Sequence, residues 1–304
     1  MENGSYLRTE RATDMNKPAI NNWGRWGQED QLGTLNLQTP ARILEALKLV
    51  KQGKMYNLSV PLEAEGPQHP MFHKTWQTTF MTTNEDPCAF QVADDVVTMV
   101  THSGTHMDAL GHCWNDDQLW NGRTTDNVTS YGINWAGIEN VNGFVTRGVM
   151  LDVARFKGVE HLALGEVITA DDMEACAAHQ GVEIRPADVL LLRTGWYTVF
   201  HSDRELWSRG EPGPDASCTA WLKKKDVMAI GADNAAVESY LAEHRSPTSE
   251  RLHITSLRDL GVYLIEHVDL EELAADEVYE FLFMAAPLRL PKATGSPMTP
   301  LALI

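Results

Sequence analysis

Residues 101–114 read THSGTHMDALGHCW, and His102, His106, Asp108 and His112 fall there at offsets 0, 4, 6 and 10. Imidazole nitrogens and a carboxylate are the ligand types that hold zinc or manganese. On a helix, at about 100° per residue, His102 and His106 share a face but Asp108 points away. On a straight strand all four share a face, yet His102 and His106 stand about 13 Å apart at 3.3 Å per residue, too far for one ion. Only a bent segment gathers them, and Gly104-Thr105 lies where the bend is needed. Three histidines and an aspartate at this density, around a glycine, point to a shared ion rather than to separate core histidines satisfied by hydrogen bonds. Two rival chemistries fit less well. Ser103 stands where the HExxH zinc peptidases carry glutamate, and HSG lacks the strand-turn-helix GxSxG setting of a nucleophilic serine.

The elements that must position these groups read as mixed α and β. The run DVVTMV predicts that the site is delivered from the end of a core strand. Further β-type runs are MYNLSVPLE (55–63), GFVTRGVMLDVA, DVLLLRTGW, VMAIGA, GVYLIEHV, PLRLP and SPMTPLALI. TPARILEALKLVKQGK (39–54) carries Ile43, Leu44, Leu47 and Val50 at the spacing of one helix face, with Thr39 as cap before Pro40. Helical patterns also fall at about 165–179, 215–224, 235–243 and 270–276.

The chain has 304 residues, 43% of them hydrophobic, with no internal repeat or low-complexity linker to force a boundary. A single domain over 21–304, preceded by a flexible arm over 1–20, is the economical reading. The formal net charge of −17 disfavours nucleic acid and anionic membranes as partners. No stretch reaches the roughly 18 apolar residues of a membrane span, and the polar start lacks the apolar core of a signal peptide. Cys88, Cys113, Cys176 and Cys218 lie far apart without a CxxC pair, which predicts free, mostly buried thiols and a cytoplasmic protein.

The stretch HSGTHMDALGH resembles the HxGTHxDxxxH signature of the cyclase family of metal-dependent hydrolases, whose members include bacterial kynurenine formamidase and isatin hydrolase. NWGRWGQEDQLGTLN (22–36), LLLRTGW (190–196), GADNAAVE (231–238), RLHITSLRDLGVYLIEHVDLEEL (251–273) and ATGSPMTPLALI (293–304) resemble its larger members. The resemblance implies a swivelling β/β/α fold, a divalent metal (Mn2+ or Zn2+), hydrolysis of an amide or lactam, and a homo-oligomer, commonly a dimer. By position, His102, His106 and Asp108 match the family's metal ligands and His112 its general acid/base. His253 and Glu266 match the later His and Glu that complete a two-metal centre in the formamidase branch. Read alone, His253 sits on a helical pattern, and Glu266 closes an apolar run where a carboxylate suits either solvent or a ligand role. Ala109-Leu110 stand where the formamidase pattern has a proline two residues past the aspartate, and the NWGRWG region is nearer the isatin-hydrolase side.

An incomplete protein shell leaves room for water and a substrate carbonyl, and a histidine of pKa near 6.5 suits proton transfer both ways at neutral pH. Trp23 and Trp26, three apart in a polar, glycine-rich segment that makes a poor core, are expected to wall an aromatic pocket. His73 and Trp76, in FHKTW, are weaker contacts of the same pocket. The expected substrate is a small, neutral, planar molecule, an aromatic or cyclic amide, which avoids the repulsion that a chain of net charge −17 presents to an anion. Three functions are weighed: opening of a lactam, imide or lactone; hydrolysis of a linear aryl formamide at two metals; and, in another class, metal or ligand binding without turnover. Binding alone has no need of a base beside the ligands, which disfavours the third.

Overall fold

In Val189-Leu190-Leu191-Leu192 every side chain is fully buried, so this run has no face for water and belongs to a sheet covered on both sides. The computed structural model describes residues 20–63, 65–67, 78–85, 91–243 and 251–304, and places this run in a nine-stranded mixed sheet. Its strands in chain order are β1 (Met55–Asn57), β2 (His106–Asp108), β3 (Phe144–Asp152), β4 (Val189–Arg193), β5 (Ala229–Ala232), β6 (Tyr263–Glu266), β7 (Glu280–Ala285), β8 (Gly295–Pro297) and β9 (Leu301–Leu303). Their order across the sheet is β1-β9-β7-β3-β4-β5-β6-β2-β8. The middle four, β3 to β6, are parallel, and the remaining pairings are antiparallel.

Parallel neighbours need crossovers, and helices supply them. Ala170–Gln180 is the longest: Thr169 and Asp172 form a reciprocal capping box at its start, and Gly181 at φ 70° ends it. Between β5 and β6 the chain passes through a π-helix, Ile254–Leu260, whose N-cap is His253. Arrangements of this kind are frequent at functional sites. Antiparallel pairing then sets β2 directly against β6, so that His106 lies opposite Glu266.

Several expectations need correcting. The run DVVTMV is not part of the core sheet: among the described residues Gln91–Thr98 pairs only with Thr78–Glu85, and Val96 and Val97 are exposed. The first helix keeps its Thr39 cap, which accepts from the Arg42 amide, but stops at Leu47 because the chain turns there toward β1. Leu44 and Leu47 are exposed, and Ala46 is the residue it buries. PLRLP forms no strand, since Pro287 and Pro291 lack the amides a ladder needs; the preceding residues form β7 instead. Nor is 235–243 helical: Glu211 and Asn234 side chains capture the amides of Ala235 and Val237, and the segment ends in a short strand, Tyr240–Leu241.

Three parts of the sheet are tied by one buried cation. Arg147 of β3 grips Asp188 with Nε (2.9 Å) and Nη2 (2.6 Å), and also bonds Glu280 of β7 and the Glu183 carbonyl. Truncation strands Asp188 in the interior, so Arg147→Ala is expected to cost about 3–5 kcal/mol of stability. Urea denaturation checks this; an unchanged midpoint contradicts it.

Candidate metal centre and active site

The bend foreseen between the histidines is present. Gly104 adopts φ 57°, where a side chain is strained, and an added Cβ would lie 2.5 Å from Leu62 Cδ2. After this turn the chain enters β2, which buries His106 and Asp108, while Ala109–His112 turns back beneath it through the His112 amide bond to the Ala109 carbonyl.

His102, His106 and Asp108 bring one ligand atom each within 4.8 Å of one another, and so do Asp108, His253 and Glu266. The two groups share Asp108. His106 Nε2 stands 3.1 Å from Glu266 Oε2 and 3.7 Å from Asp108 Oδ1. His253 Nε2 stands 3.2 Å from Glu266 Oε1 and 3.7 Å from Asp108 Oδ2. The His112 ring lies against His102, centroids 4.2 Å apart, and 6.5 Å from His253.

Two histidines have their tautomers set from outside the cluster. His106 Nδ1 donates to the Gly104 carbonyl at 2.8 Å, and His253 Nδ1 to Glu238 Oε1 at 2.9 Å. Each thereby turns Nε2 toward the carboxylates, as in histidines that ligate metals. Asp108 Oδ2 is buried without a hydrogen bond, while Oδ1 stands 2.7 Å from His102 Nδ1. A buried oxygen of this kind calls for a partner, and a divalent cation that displaces the imidazole protons takes up the nitrogen lone pairs and the crowded carboxylates together. The donor set fits such an ion.

Burial opposes every charge in the cluster, yet the groups hold one another ionised. His106, despite its burial, is raised to about 9 by Glu266, and His253 well above its ordinary range by Glu238. Glu266 and Asp108 are correspondingly lowered, Glu266 chiefly by His106, and Asp108, against its burial, by the histidines around it. His112 goes the other way: burial pushes it down to about 4 against the pull of Asp108, leaving a neutral imidazole at pH 7.

The sequence-derived residues thus fall in different places. His102, His106, Asp108, His112, His253 and Glu266 come together, and Glu266 is buried rather than turned to solvent. Trp23 and Trp26 pack farther along the π-helix: Trp23 Nε1 donates to the Arg258 carbonyl at 2.7 Å, and Trp26 tilts against Trp120. His73 and Trp76 lie outside the described residues. Glu238 and Thr294, whose hydroxyl is 3.1 Å from His102 Nε2, were not singled out from the sequence; neither sits in a dense motif.

Comparison with known proteins agrees with this geometry. The family model named Cyclase matches residues 56–239, more than half of the sequence. The chain belongs to the Cyclase family. The isatin hydrolase of Roseibium aggregatum is 26% identical over 211 residues, which cover 67% of this chain and 72% of that protein. The kynurenine formamidase of Geobacillus thermodenitrificans is 26% identical over 205 residues, covering 66% and 76%. A crystal structure described as a novel cyclase superposes with a TM-score of 0.85 at 35% identity, over 94% of this chain and 100% of that one. This member of the Cyclase family is accordingly a hydrolase with a His/Asp site of metal-binding type. Among the described residues no helix is long and apolar enough to cross a membrane.

Proposed function

We propose that the protein hydrolyses a ring carbonyl, in a lactam, imide or lactone of the isatin type, at a centre holding Mn2+ or Zn2+. The observation that carries this reading is the neutral His112 imidazole packed on His102, whose Nδ1 meets Asp108 Oδ1 at 2.7 Å while Asp108 Oδ2 has no hydrogen bond. His102, His106 and Asp108 would hold the ion, with His253 and Glu266 completing the shell. Bound there, it supplies polarisation of the substrate carbonyl and a lowered pKa for water.

The chain's own part is proton transfer. His112 accepts a proton at its imidazole as water attacks the carbonyl carbon, then returns it to the leaving nitrogen when the C–N bond breaks. In a lactone the ring oxygen takes that proton instead. The product of a cyclic amide is an amino carboxylate. A neutral substrate avoids repulsion by a chain of net charge −17. Trp23 and Trp26 are the aromatic wall of this reading, supported by Trp23 Nε1 donating to the Arg258 carbonyl in the π-helix that His253 caps. His73 and Trp76 are further contacts in this reading, residues 21–304 act as one catalytic unit after a short arm, the family resemblance supports a homodimer, and the spacing of the cysteines without a CxxC pair supports a cytoplasmic place for it.

A second reading, a linear aryl formamide cleaved at two ions, is favoured by the second ligand group, Asp108, His253 and Glu266. Full activity in a His253→Ala, Glu266→Ala double variant counts against it. The experiment that tests the main reading is turnover of isatin and of an aryl formamide before and after chelator treatment. Ring opening that chelator abolishes and manganese or zinc restores is expected. Hydrolysis indifferent to chelator overturns the reading.

A further inference from the structure

The histidines of the cluster are not backed equally. His106 donates from Nδ1 to a neutral carbonyl, that of Gly104, and His102 has the neutral Thr294 hydroxyl at Nε2. His253 donates from Nδ1 to a carboxylate, Glu238 Oε1, at 2.9 Å. A charge-assisted bond of this kind is stronger than a neutral one and makes the opposite nitrogen a better donor to a cation.

Glu238 is built for this task. It is 1% exposed, and its carboxylate accepts from three consecutive residues: Arg251 Nε at 2.7 Å, the Leu252 amide, and His253 Nδ1. The segment that carries it is stitched down by buried side chains. Asp233 accepts from the amides of Thr194 (2.9 Å) and Gly195 (2.8 Å), Asn234 caps the Val237 amide (2.8 Å), and Glu211 accepts from the Ala235 amide (2.9 Å). Holding one carboxylate buried through so many fixed bonds gives it a single place to point, and that place is the entrance to the π-helix at His253.

We propose that Glu238 is a positioning residue for the cation site: it fixes His253 with Nε2 facing Asp108 and Glu266, and so makes Asp108, His253 and Glu266 the tighter of the two overlapping ligand groups. The proposal rests on the metal-site reading above. It does not depend on which amide is the substrate.

The test is zinc affinity of the metal-stripped full chain, measured by competition with a chromophoric chelator. Glu238→Gln is expected to raise the Kd of the tightest site roughly 10- to 100-fold. The Glu238→Gln, His253→Ala double variant should bind no more weakly than His253→Ala alone, because both changes remove the same interaction. Should Glu238→Gln fail to fold, as judged by the melting temperature of the metal-free chain, Glu238→Asp carries the same test, since it keeps the charge but withdraws the acceptor from His253. Wild-type affinity in the folded variant, or additive losses in the double variant, overturns the proposal. A wild-type chain that binds no zinc overturns the metal-site reading itself, and is told apart from the other outcomes because no variant is needed to see it.

Discussion

His112→Ala is expected to lower kcat for hydrolysis roughly 10²- to 10⁴-fold, the usual contribution of a positioned general acid/base. The residue is suited to the part by its place, its ring packed on His102 and its imidazole neutral at pH 7; at about 4, pushed down by burial, it is a weaker base than the value near 6.5 that suits transfer both ways. The variant should still bind its full complement of divalent cation, because His112 belongs to neither ligand group. Steady-state kinetics on metal-loaded protein, with metal content measured in the same samples, separates the two roles. Unaltered turnover would remove His112 from the mechanism; lost metal would make it a ligand instead.

Asp108→Ala is expected to do more damage. Asp108 is the residue common to both ligand groups, is 1% exposed, and lies on β2 between His106 and the turn to His112. Its removal takes an oxygen from both groups and leaves His106 and His253 beside Glu266 alone. Loss of cation binding should bring hydrolysis down by roughly 10³-fold or more, since a bound ion supplies several kcal/mol of charge stabilisation. A variant that keeps both its cation and its rate would show that the ligands lie elsewhere.

Much of this site was legible in one stretch of sequence. The spacing of His102, His106 and Asp108 excluded a straight helix or strand, and Gly104 at φ 57° provides the bend that this required. Glu266 was found through resemblance, and its position is understandable only from the sheet: β2 and β6 are far apart in sequence, and their antiparallel register sets Glu266 opposite His106. Glu238 could not be read in this way. Its partners are Arg251, Leu252 and His253, and no periodicity announces a carboxylate that reaches across a loop to a helix entrance.

The elements show the same division. Buried runs such as Val189–Arg193 were read correctly because a continuous apolar stretch has few other fates. Trp196–Ser202 was missed as a helix, since WYTVFHS continues the β-type composition before it; Gly195 at φ 77° ends the strand and opens the helix. The segment 235–243 was misread for the opposite reason. Its composition suits a helix, but buried polar side chains bind its amides and hold it in an irregular course. In both places tertiary partners, absent from any local window, decide the outcome.

The most direct test of the metal centre is elemental analysis of untagged wild-type protein, purified without chelator, beside Asp108→Ala. The expected result is about one or two manganese or zinc ions per wild-type chain and none in the variant. Wild-type protein that neither carries nor takes up a divalent ion, or a variant with equal metal, would contradict it.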